Sequence, residues 1–256
     1  MIRLALERIS LPDVGRVTDD TSVLTLRSLA FESLCRWEDS SVLPGLLGGW
    51  SVSGDKRDWR FAVRRGAAFH DGTPCTAAHV LATIRATLAS RDMFGMPWSY
   101  ARYLAGAEIE AVGEDAIRIW TPEPFADLPE ILAEFVCART DLSGQAVVGT
   151  GPYRITRYVP DEVAELVATD PARWPAAIRA IAIPDAEARA AALRDGAADV
   201  ALNLERRDAA PGGYGRVWAQ APNTLSVMAF LNCAEGLFRD PRARLAANLA
   251  VDRDEI

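Results

Sequence analysis

The sequence predicts a mixed α/β fold with α+β character, in which an α/β frame carries an inserted middle segment. Near the chain ends, short strands alternate with amphipathic helices, as in Arg179–Ile183, Asp185–Arg194 and Asp199–Leu202. A parallel strand pair needs such a helical crossover. The middle instead shows strand pairs joined by turn signals, with helices between them. We therefore expect hairpins and helices inserted into the frame.

The composition is typical of a globular protein: of 256 residues, 50% are hydrophobic and 25% are charged. No apolar run approaches the roughly 18 residues that span a bilayer, so we expect no membrane insertion. The net charge of -7 and the scattered arginines argue against a nucleic-acid partner. The N-terminus does not resemble a signal peptide, which indicates either a cytosolic protein or one whose export signal has been replaced by a starting Met.

In the first third, periodicity predicts a strand, a helix, a hairpin and a second helix. The strand covers Ile2–Leu6, and the first helix runs from about Val23 to Cys35 with Ser22 as its N-cap. The next elements are the hairpin strands Trp50–Ser53 and Trp59–Val63, and a helix from Thr76, its N-cap, to about Ser90.

The remainder of the chain predicts two more hairpins, further helices and strands, and a loop over Asp208–Gly215. In order, these elements are the hairpin Glu108–Val112 with Ile117–Trp120, the helix Asp127–Val136, the hairpin Tyr153–Tyr158 with Val163–Ala168, the strand–helix–strand unit given above, the strand Thr224–Leu231 and the helix Pro241–Val251.

One local cluster has the residue types of a chemical site: Phe69–Cys75, with His79 just beyond. His70, Cys75 and His79 are metal-ligand types, but no fourth ligand with zinc spacing is evident. Alternatively, Asp71 could orient His70 as a base, with a nucleophile from elsewhere. The interpretation we favour is a turn at Asp71-Gly72, held by a local hydrogen bond of His70. We expect no metal and no cofactor.

Three further features are interpreted structurally first. Gly149–Tyr153 precedes a strand and contains a proline, so it predicts a close backbone crossing and not a phosphate loop. The adjacent carboxylates Asp19-Asp20 are typical of solvated surface. The aromatic segment Met93–Tyr103 could equally line a ligand cleft or cap a core. The cysteines are expected to be free buried thiols: Cys35, Cys75, Cys137 and Cys233.

Several segments form a recognisable series when taken in chain order. The most specific are Trp59–Gly66 and Phe69–Pro74, and Gly149–Tyr153 follows them in the chain. Others are Phe31–Leu34, Leu43–Ser53, Asp170–Trp174, Ala192–Val200, Phe230–Asn232 and Phe238–Ile256. Together they resemble the family 5 extracellular solute-binding proteins, the dipeptide, oligopeptide and nickel receptors of ABC importers. Cys75 and His79 depart from the family's pattern, which weakens the metal interpretation.

The resemblance implies the first lobe of a periplasmic-binding-protein-like type II fold, with an inserted hairpin-and-helix subdomain. Residues 1–44 and 148–231 then form the base subdomain of lobe I, residues 45–147 the inserted outer subdomain, and residues 232–256 the truncated start of lobe II. Because the resemblance covers about the first half of such a receptor, we expect a second lobe to be missing beyond Ile256.

The resemblance also implies a non-catalytic function, in which a small peptide or another carboxylate-bearing molecule is captured between two lobes and delivered to an ABC importer permease. The family's ligand contacts on this lobe correspond to Asp19, Asp20, Thr21, Trp98, Tyr100, Tyr103 and Arg139. Arg139 would pair with a ligand carboxylate, or else is a surface arginine. The implied location is periplasmic or extracytoplasmic. With one lobe absent, we expect weak ligand binding and self-association through the exposed lobe edge.

Two other functions remain open from the sequence. The missing signal peptide suggests a cytosolic sensor or regulatory module built on the same fold, which a DNA-binding segment before Ile2 would support. A His/Cys metalloenzyme would require stoichiometric metal in the purified protein.

Overall fold

The structure, a computed structural model, describes residues 1–13, 16, 18–91, 95–140, 146–204 and 231–251. In chain order, the strands are β1 (Ile2–Leu6), β2 (Glu32–Ser33), β3 (Cys35–Glu38), β4 (Ser41–Pro44), β5 (Leu47–Val52), β6 (Asp58–Val63), β7 (Glu108–Val112), β8 (Ala116–Trp120), β9 (Val136–Thr140), β10 (Ala146–Gly149), β11 (Tyr153–Val159), β12 (Val163–Ala168), β13 (Ala177–Ala182) and β14 (Val200–Ala201). The helices are α1 (Thr21–Ala30), α2 (Ala77–Ala89), α3 (Leu128–Leu132), α4 (Ala186–Arg194) and α5 (Pro241–Leu249), with 3-10 turns at Ser99–Leu104 and Leu237–Arg239. The chain divides into two compact units, Met1–Ala210 and Pro211–Ile256.

A five-stranded sheet combines the beginning of the first unit with its end, in the order β11-β12-β13-β1-β14. Strand β1 lies parallel to both β13 and β14, and helix α4 connects those two. Asp185 caps α4 by accepting a hydrogen bond from Ala188 N at 2.7 Å. The strand–helix–strand unit predicted from periodicity is therefore confirmed, as is the hairpin β11-β12, which turns at the positive-φ residue Asp161.

The middle of the chain forms an antiparallel sheet in the order β5-β6-β8-β7, together with the sheet β10-β9-β2 and the hairpin β3-β4. Both predicted hairpins of this segment are confirmed, β5-β6 and β7-β8. Helix α2 also begins as predicted, after Thr76, whose backbone N–H donates to His79 Nδ1 at 3.2 Å. Its residues Val80 and Ile84 are fully buried against the sheet residues of this segment.

The buried apolar residues form two clusters. We call the first the base core; it is centred on the five-stranded sheet and α1 and includes Leu6, Leu26, Phe31, Tyr153 and Leu166. We call the second the outer core; it fills the middle segment and includes Leu34, Phe61, Ile84, Ile117 and Phe135. The subdomain boundaries expected above, at residues 44/45 and 147/148, stay a prediction.

Helix α1 differs from its prediction at both ends. Asp20, and not Ser22, is the N-cap, because its Oδ1 accepts from Ser22 N and Val23 N at 2.9 and 3.1 Å. The helix ends at Ala30, not near Cys35, because Phe31 adopts an extended conformation. Phe31 packs into the base core, whereas Leu34 packs into the outer core. The helical spacing of these apolar residues therefore reflects two separate packing partners.

Other elements are shorter than predicted or fall outside the description. Helix α3 covers Leu128–Leu132 and not Asp127–Val136, because Val136 joins strand β9. Helix α5, in the second unit, ends at Leu249 and is capped by Asp240. The predicted loop Asp208–Gly215 and, apart from Leu231, the strand Thr224–Leu231 lie outside the described residues. Among those that are described, no helix has the length and apolar character needed to cross a membrane.

Candidate ligand-binding site

Gly149 and Gly151 lie where the returning chain crosses the end of helix α1. Gly151 N donates to Ala30 O at 3.1 Å. A Cβ atom on Gly151 would lie 2.5 Å from Ala30 C, and one on Gly149 would overlap Ala30 O and the Phe31 ring. The close backbone crossing predicted for this segment is confirmed, since two glycines allow an approach that any side chain would block.

His70 contacts this crossing from the turn that lies between strand β6 and helix α2. Its backbone N–H donates to Gly149 O, and its ring Nε2 lies 2.9 Å from Gly151 O. A carbonyl can only accept, so Nε2 carries the proton. The prediction that His70 bonds locally was wrong, because its partner is 81 positions away.

The side chains on which the metal and base interpretations depend each have a different partner, so the structure does not bring them together. His79 Nδ1 lies beside Thr76, and Cys75 Sγ lies beside Cys137 Sγ. Asp71 bonds to Thr73 and Arg139, not to His70. Within the described ranges, no group of three or more His, Cys, Asp or Glu side chains is placed to hold a metal ion.

Burial lowers the pKa of His70, assisted by Arg154 and opposed by the Gly151 carbonyl and by Asp71. The unfolded chain therefore takes up a proton first as the pH falls through the ordinary histidine range near about 6.5. We expect stability to decrease below that pH, with His79, whose pKa burial also lowers, acting in the same direction. His70→Gln, which keeps an N–H donor, should reduce the difference in urea midpoint between about pH 7.5 and about pH 5.5. An unchanged difference in this variant would contradict the assignment.

Arg139, on β9, forms an ion pair with Asp71, 68 positions earlier in the chain. Its guanidinium carbon lies 4.8 Å from the Phe69 ring centre, and its Nε is buried without a hydrogen-bond partner in the described part of the chain. The Thr73 hydroxyl and amide, together with Arg139, lower the pKa of Asp71 to about 2. The pair is only part-buried, with 34% of the Arg139 side chain and 44% of the Asp71 side chain exposed. A charged guanidinium thus stands at the surface above an aromatic ring, against a carboxylate.

The aromatic segment divides into a buried anchor and two exposed rings. Trp98 is only 8% exposed and packs edge-to-face on Phe135 and on Tyr100, at 4.9 and 5.2 Å between ring centres. Tyr100 and Tyr103 are exposed, and Tyr103 stacks on Phe125 at 5.8 Å. The core-capping interpretation therefore holds for Trp98, whereas the tyrosines face outward and their ligand-cleft interpretation stays a prediction. Met93 and Phe94 lie outside the described residues.

At the start of α1, Asp19 in the preceding loop and Thr21, the first helical residue, are exposed, whereas Asp20 between them is engaged. The Asp20 carboxylate caps the helix with one oxygen, and its other oxygen lies 3.2 Å from Arg8 Nε. Beneath this loop, Arg27 Nη2 donates to the carbonyls of Asp13 and Arg16 at 2.8 and 3.0 Å. Arg27 is 6% exposed, so it positions the loop from inside.

The structure brings some predicted site residues together and leaves others with separate partners. Trp98, Tyr100 and Tyr103 contact each other, whereas Arg139 contacts Phe69 and Asp71, and Asp20 contacts Arg8. The sequence reasoning missed Asp71 as the partner of Arg139, and Arg27 as the support of the loop. The exposed carboxylate Asp71 was visible in the Phe69–Pro74 segment, but no local signal connects it to residue 139.

A protein-family model and several known proteins match most of the chain. Residues 41–256 match the family model described as bacterial extracellular solute-binding proteins, family 5 Middle. The probable peptide ABC transporter periplasmic-binding protein y4tO of Sinorhizobium fredii is 30% identical over 167 residues, which cover 60% of this chain and 30% of that protein. The glutathione-binding protein GsiB of Salmonella choleraesuis is 26% identical over 239 residues, or 86% of this chain and 45% of GsiB.

Solved structures show the same fold. The binding protein AgaA from A. tumefaciens R10, in complex with agropinic acid, superposes with a TM-score of 0.66 at 24% identity, over 78% of this chain and 43% of AgaA. DppA from Helicobacter pylori, in complex with the peptide STSA, gives a TM-score of 0.63 at 20% identity, over 80% and 46% of the two chains. The chain thus spans less than half the length of each protein it is compared with here.

Proposed function

Because this chain belongs to the bacterial extracellular solute-binding proteins of family 5, we propose that it forms the first lobe of a receptor that captures a small peptide, or another small carboxylate-bearing molecule, for an ABC importer. In this proposal, residues 1–44 and 148–231 are the base subdomain, residues 45–147 the inserted outer subdomain, and residues 232–256 the start of the second lobe. The receptor acts outside the cytoplasm, hands its ligand to a permease and performs no catalysis.

The observation that carries the proposal is the arginine at position 139. Its guanidinium is part-exposed, is stacked over Phe69 and is already paired with one carboxylate, that of Asp71. A guanidinium has five N–H donors in a planar fork, so one carboxylate neighbour does not exhaust it. A ligand carboxylate can bind beside Asp71 or replace it, and the aromatic ring supports the flat cation in either case.

The other candidate residues suit recognition of an uncharged part of the ligand. Tyr100 and Tyr103 are exposed side chains, and aromatic rings at a surface pack well against apolar side chains or peptide planes. His70 donates its Nε2 proton to the Gly151 carbonyl and so serves the backbone crossing, and Cys75 is buried and is therefore not a surface nucleophile. This chemistry favours binding over catalysis.

None of the relatives named above is described as a regulator, so the cytosolic sensor gains no support from them.

We also propose self-association through the edge of the five-stranded sheet. Its last strand, β14, spans only Val200–Ala201, and Val200 is exposed. In the described part of the sheet, β14 has β1 on one side and no strand on the other, and such an open edge can pair with another chain.

Binding of a free carboxylate should depend on Arg139. We expect a tripeptide such as Ala-Ala-Ala to bind this chain weakly, and Arg139→Ala to weaken binding by a further roughly tenfold to hundredfold, because one charge-assisted contact is lost. The same tripeptide with an amidated C-terminus should bind with equal affinity to both proteins. NMR titration at high peptide concentration measures these affinities.

Arg36→Ala is the matched control, because Arg36 is also a part-exposed arginine paired with a carboxylate, that of Glu38 on the β3-β4 hairpin. It should leave both affinities unchanged. If Arg139→Ala bound the free and amidated peptides as the unmodified chain does, Arg139 would not be the carboxylate site. Tight binding, with micromolar affinity or better, would contradict the expectation that this lobe alone encloses too little of the ligand.

A further inference from the structure

Two cysteines that are 62 positions apart meet inside the outer core. Cys75 Sγ lies 3.9 Å from Cys137 Sγ, and both side chains are buried. Cys75 stands two residues before helix α2, and Cys137 lies on β9. Of the other cysteines, Cys35 is buried and Cys233 is exposed, which corrects the expectation that all four are buried. The structure describes the pair in its reduced, dithiol form.

Both segments that carry these sulfurs are fixed by backbone hydrogen bonds. Cys75 N donates to Ala67 O at 2.9 Å, and Ala77 N donates to Glu114 O at 2.8 Å. Cys137 is paired with Glu32 in the β9-β2 ladder. A disulfide bond measures about 2 Å, so the sulfurs need to approach by about 2 Å, and we expect rotation of the two side chains to supply this approach.

We propose that Cys75 and Cys137 form a structural disulfide bond when the chain folds in an oxidising compartment. The proposal rests on the extracytoplasmic location given under the proposed function, since thiols stay reduced in the cytosol. The oxidant is a disulfide, either that of a thiol oxidoreductase or oxidised glutathione. Because both sulfurs are buried in the folded chain, the bond forms during folding.

The exchange balances in two steps. A cysteine thiolate of the chain attacks the oxidant's disulfide and forms a mixed disulfide, releasing one thiolate of the oxidant. The second cysteine then loses its proton and attacks the mixed disulfide, so that the Cys75–Cys137 bond forms and the second thiolate leaves. Two electrons pass to the oxidant, and the two protons from the cysteines convert its two thiolates to thiols. In the folded dithiol, hydrogen bonds from Cys75 and from the Thr83 hydroxyl lower the pKa of Cys137, and the bond to Cys137 raises that of Cys75.

The bond would connect the two segments that carry the candidate carboxylate site. Cys75 follows Asp71 by four positions, and Cys137 precedes Arg139 by two positions on the same strand. Residues two apart on a strand share a face, so the disulfide would lie in the core beneath the Asp71–Arg139 pair. It would close a long loop and hold the turn at Asp71 against β9.

The test is to refold the unmodified, denatured chain in a glutathione redox buffer and, in parallel, with excess dithiothreitol. After oxidative refolding, we expect the number of thiols that titrate in denaturant to be two, compared with four in the reduced chain. Peptide mapping should then find a fragment joining residues 75 and 137, with a mass lower by two hydrogen atoms. Four titratable thiols, or a bridge between other cysteines, would overturn the proposal. Since the mapping uses the unmodified chain, it does not depend on any variant folding.

Variants add a second readout. Cys75→Ser and Cys137→Ser should each abolish the bridge, whereas Cys35→Ser, at another buried cysteine of the outer core, should retain it. The oxidised chain should melt roughly 5–15 °C above the reduced chain, and this difference should disappear in the first two variants. A bridged chain that binds no peptide would leave this proposal standing and count against the proposed function. A chain that binds peptide but forms no bridge would do the reverse.

Discussion

Replacing Arg189 by alanine is expected to lower the free energy of unfolding of the first unit by roughly 3–5 kcal/mol. Arg189 lies on α4 and is 2% exposed. Its guanidinium donates to four backbone carbonyls, two that follow β13 and two that follow β14: Ile183 at 2.7 Å, Pro184 at 2.8 Å, Leu202 at 3.0 Å and Asn203 at 2.8 Å. Removing the side chain leaves these part-buried carbonyls without their donor.

Urea denaturation followed by circular dichroism measures the loss. Arg189→Lys should also destabilise the protein, because a single ammonium group cannot reach four carbonyls arranged around a planar fork. Arg179→Ala is the matched control: Arg179 is exposed on the neighbouring strand β13 and its contact with Glu165, at 3.8 Å, is long. This control should change stability by less than about 0.5 kcal/mol. Equal effects of the two alanine variants would show that the carbonyl cluster is not what Arg189 stabilises.

The second large effect is expected at the backbone crossing. Gly149→Ala places a methyl group against the Phe31 ring and against Ala30 O and C, and these two Ala30 atoms belong to the backbone and cannot rotate away. The crossing must open, which we expect to cost roughly 2–4 kcal/mol and to weaken the hydrogen bond from His70 N to Gly149 O. Thermal unfolding measures the first effect, and amide hydrogen exchange at His70 measures the second.

Gly49→Ala provides the comparison, because Gly49 also lies on a strand and a Cβ atom there would meet nothing within 4 Å. That substitution should be neutral or slightly stabilising, since alanine restricts the unfolded chain more than glycine does. If Gly149→Ala were as well tolerated as Gly49→Ala, the close approach to Ala30 would not be needed by the fold.

Local patterns predicted those elements whose causes are local. The hairpins β5-β6, β7-β8 and β11-β12 combine alternation with turn residues that are neighbours in sequence, and all were found. Helix α1 was predicted to extend too far because Ala30 and Leu34 keep helical spacing while packing into different cores. The pattern of apolar residues within one segment does not show whether those residues pack into one core or into two.

The candidate site shows the same limit. The resemblance supplied Arg139, and the motif that contains Asp71 was recognised, yet their pairing joins residues 68 positions apart. His70 was assigned a local partner because turn chemistry is the nearest explanation for a polar residue beside Asp-Gly. Its actual partners, Gly149 and Gly151, were known only as a separate glycine motif. The assignment of site residues to ligand contact stays a prediction.

The crossing at Ala30 also places side by side the two ends of the segment between Phe31 and Tyr153, which we call the outer segment. Phe31 is the last fully packed base-core residue before this segment and Tyr153 is the next one after it, while Val136 and Ala138 of β9 also pack against that core. The bond from Gly151 N to Ala30 O joins the two ends directly. The entropy of closing a segment between neighbouring ends grows only with the logarithm of its length. Insertions, deletions or replacements within the outer segment should therefore change the stability of the five-stranded sheet little. We therefore expect a shorter or foreign segment, grafted between the same two points, to leave the five-stranded sheet folded.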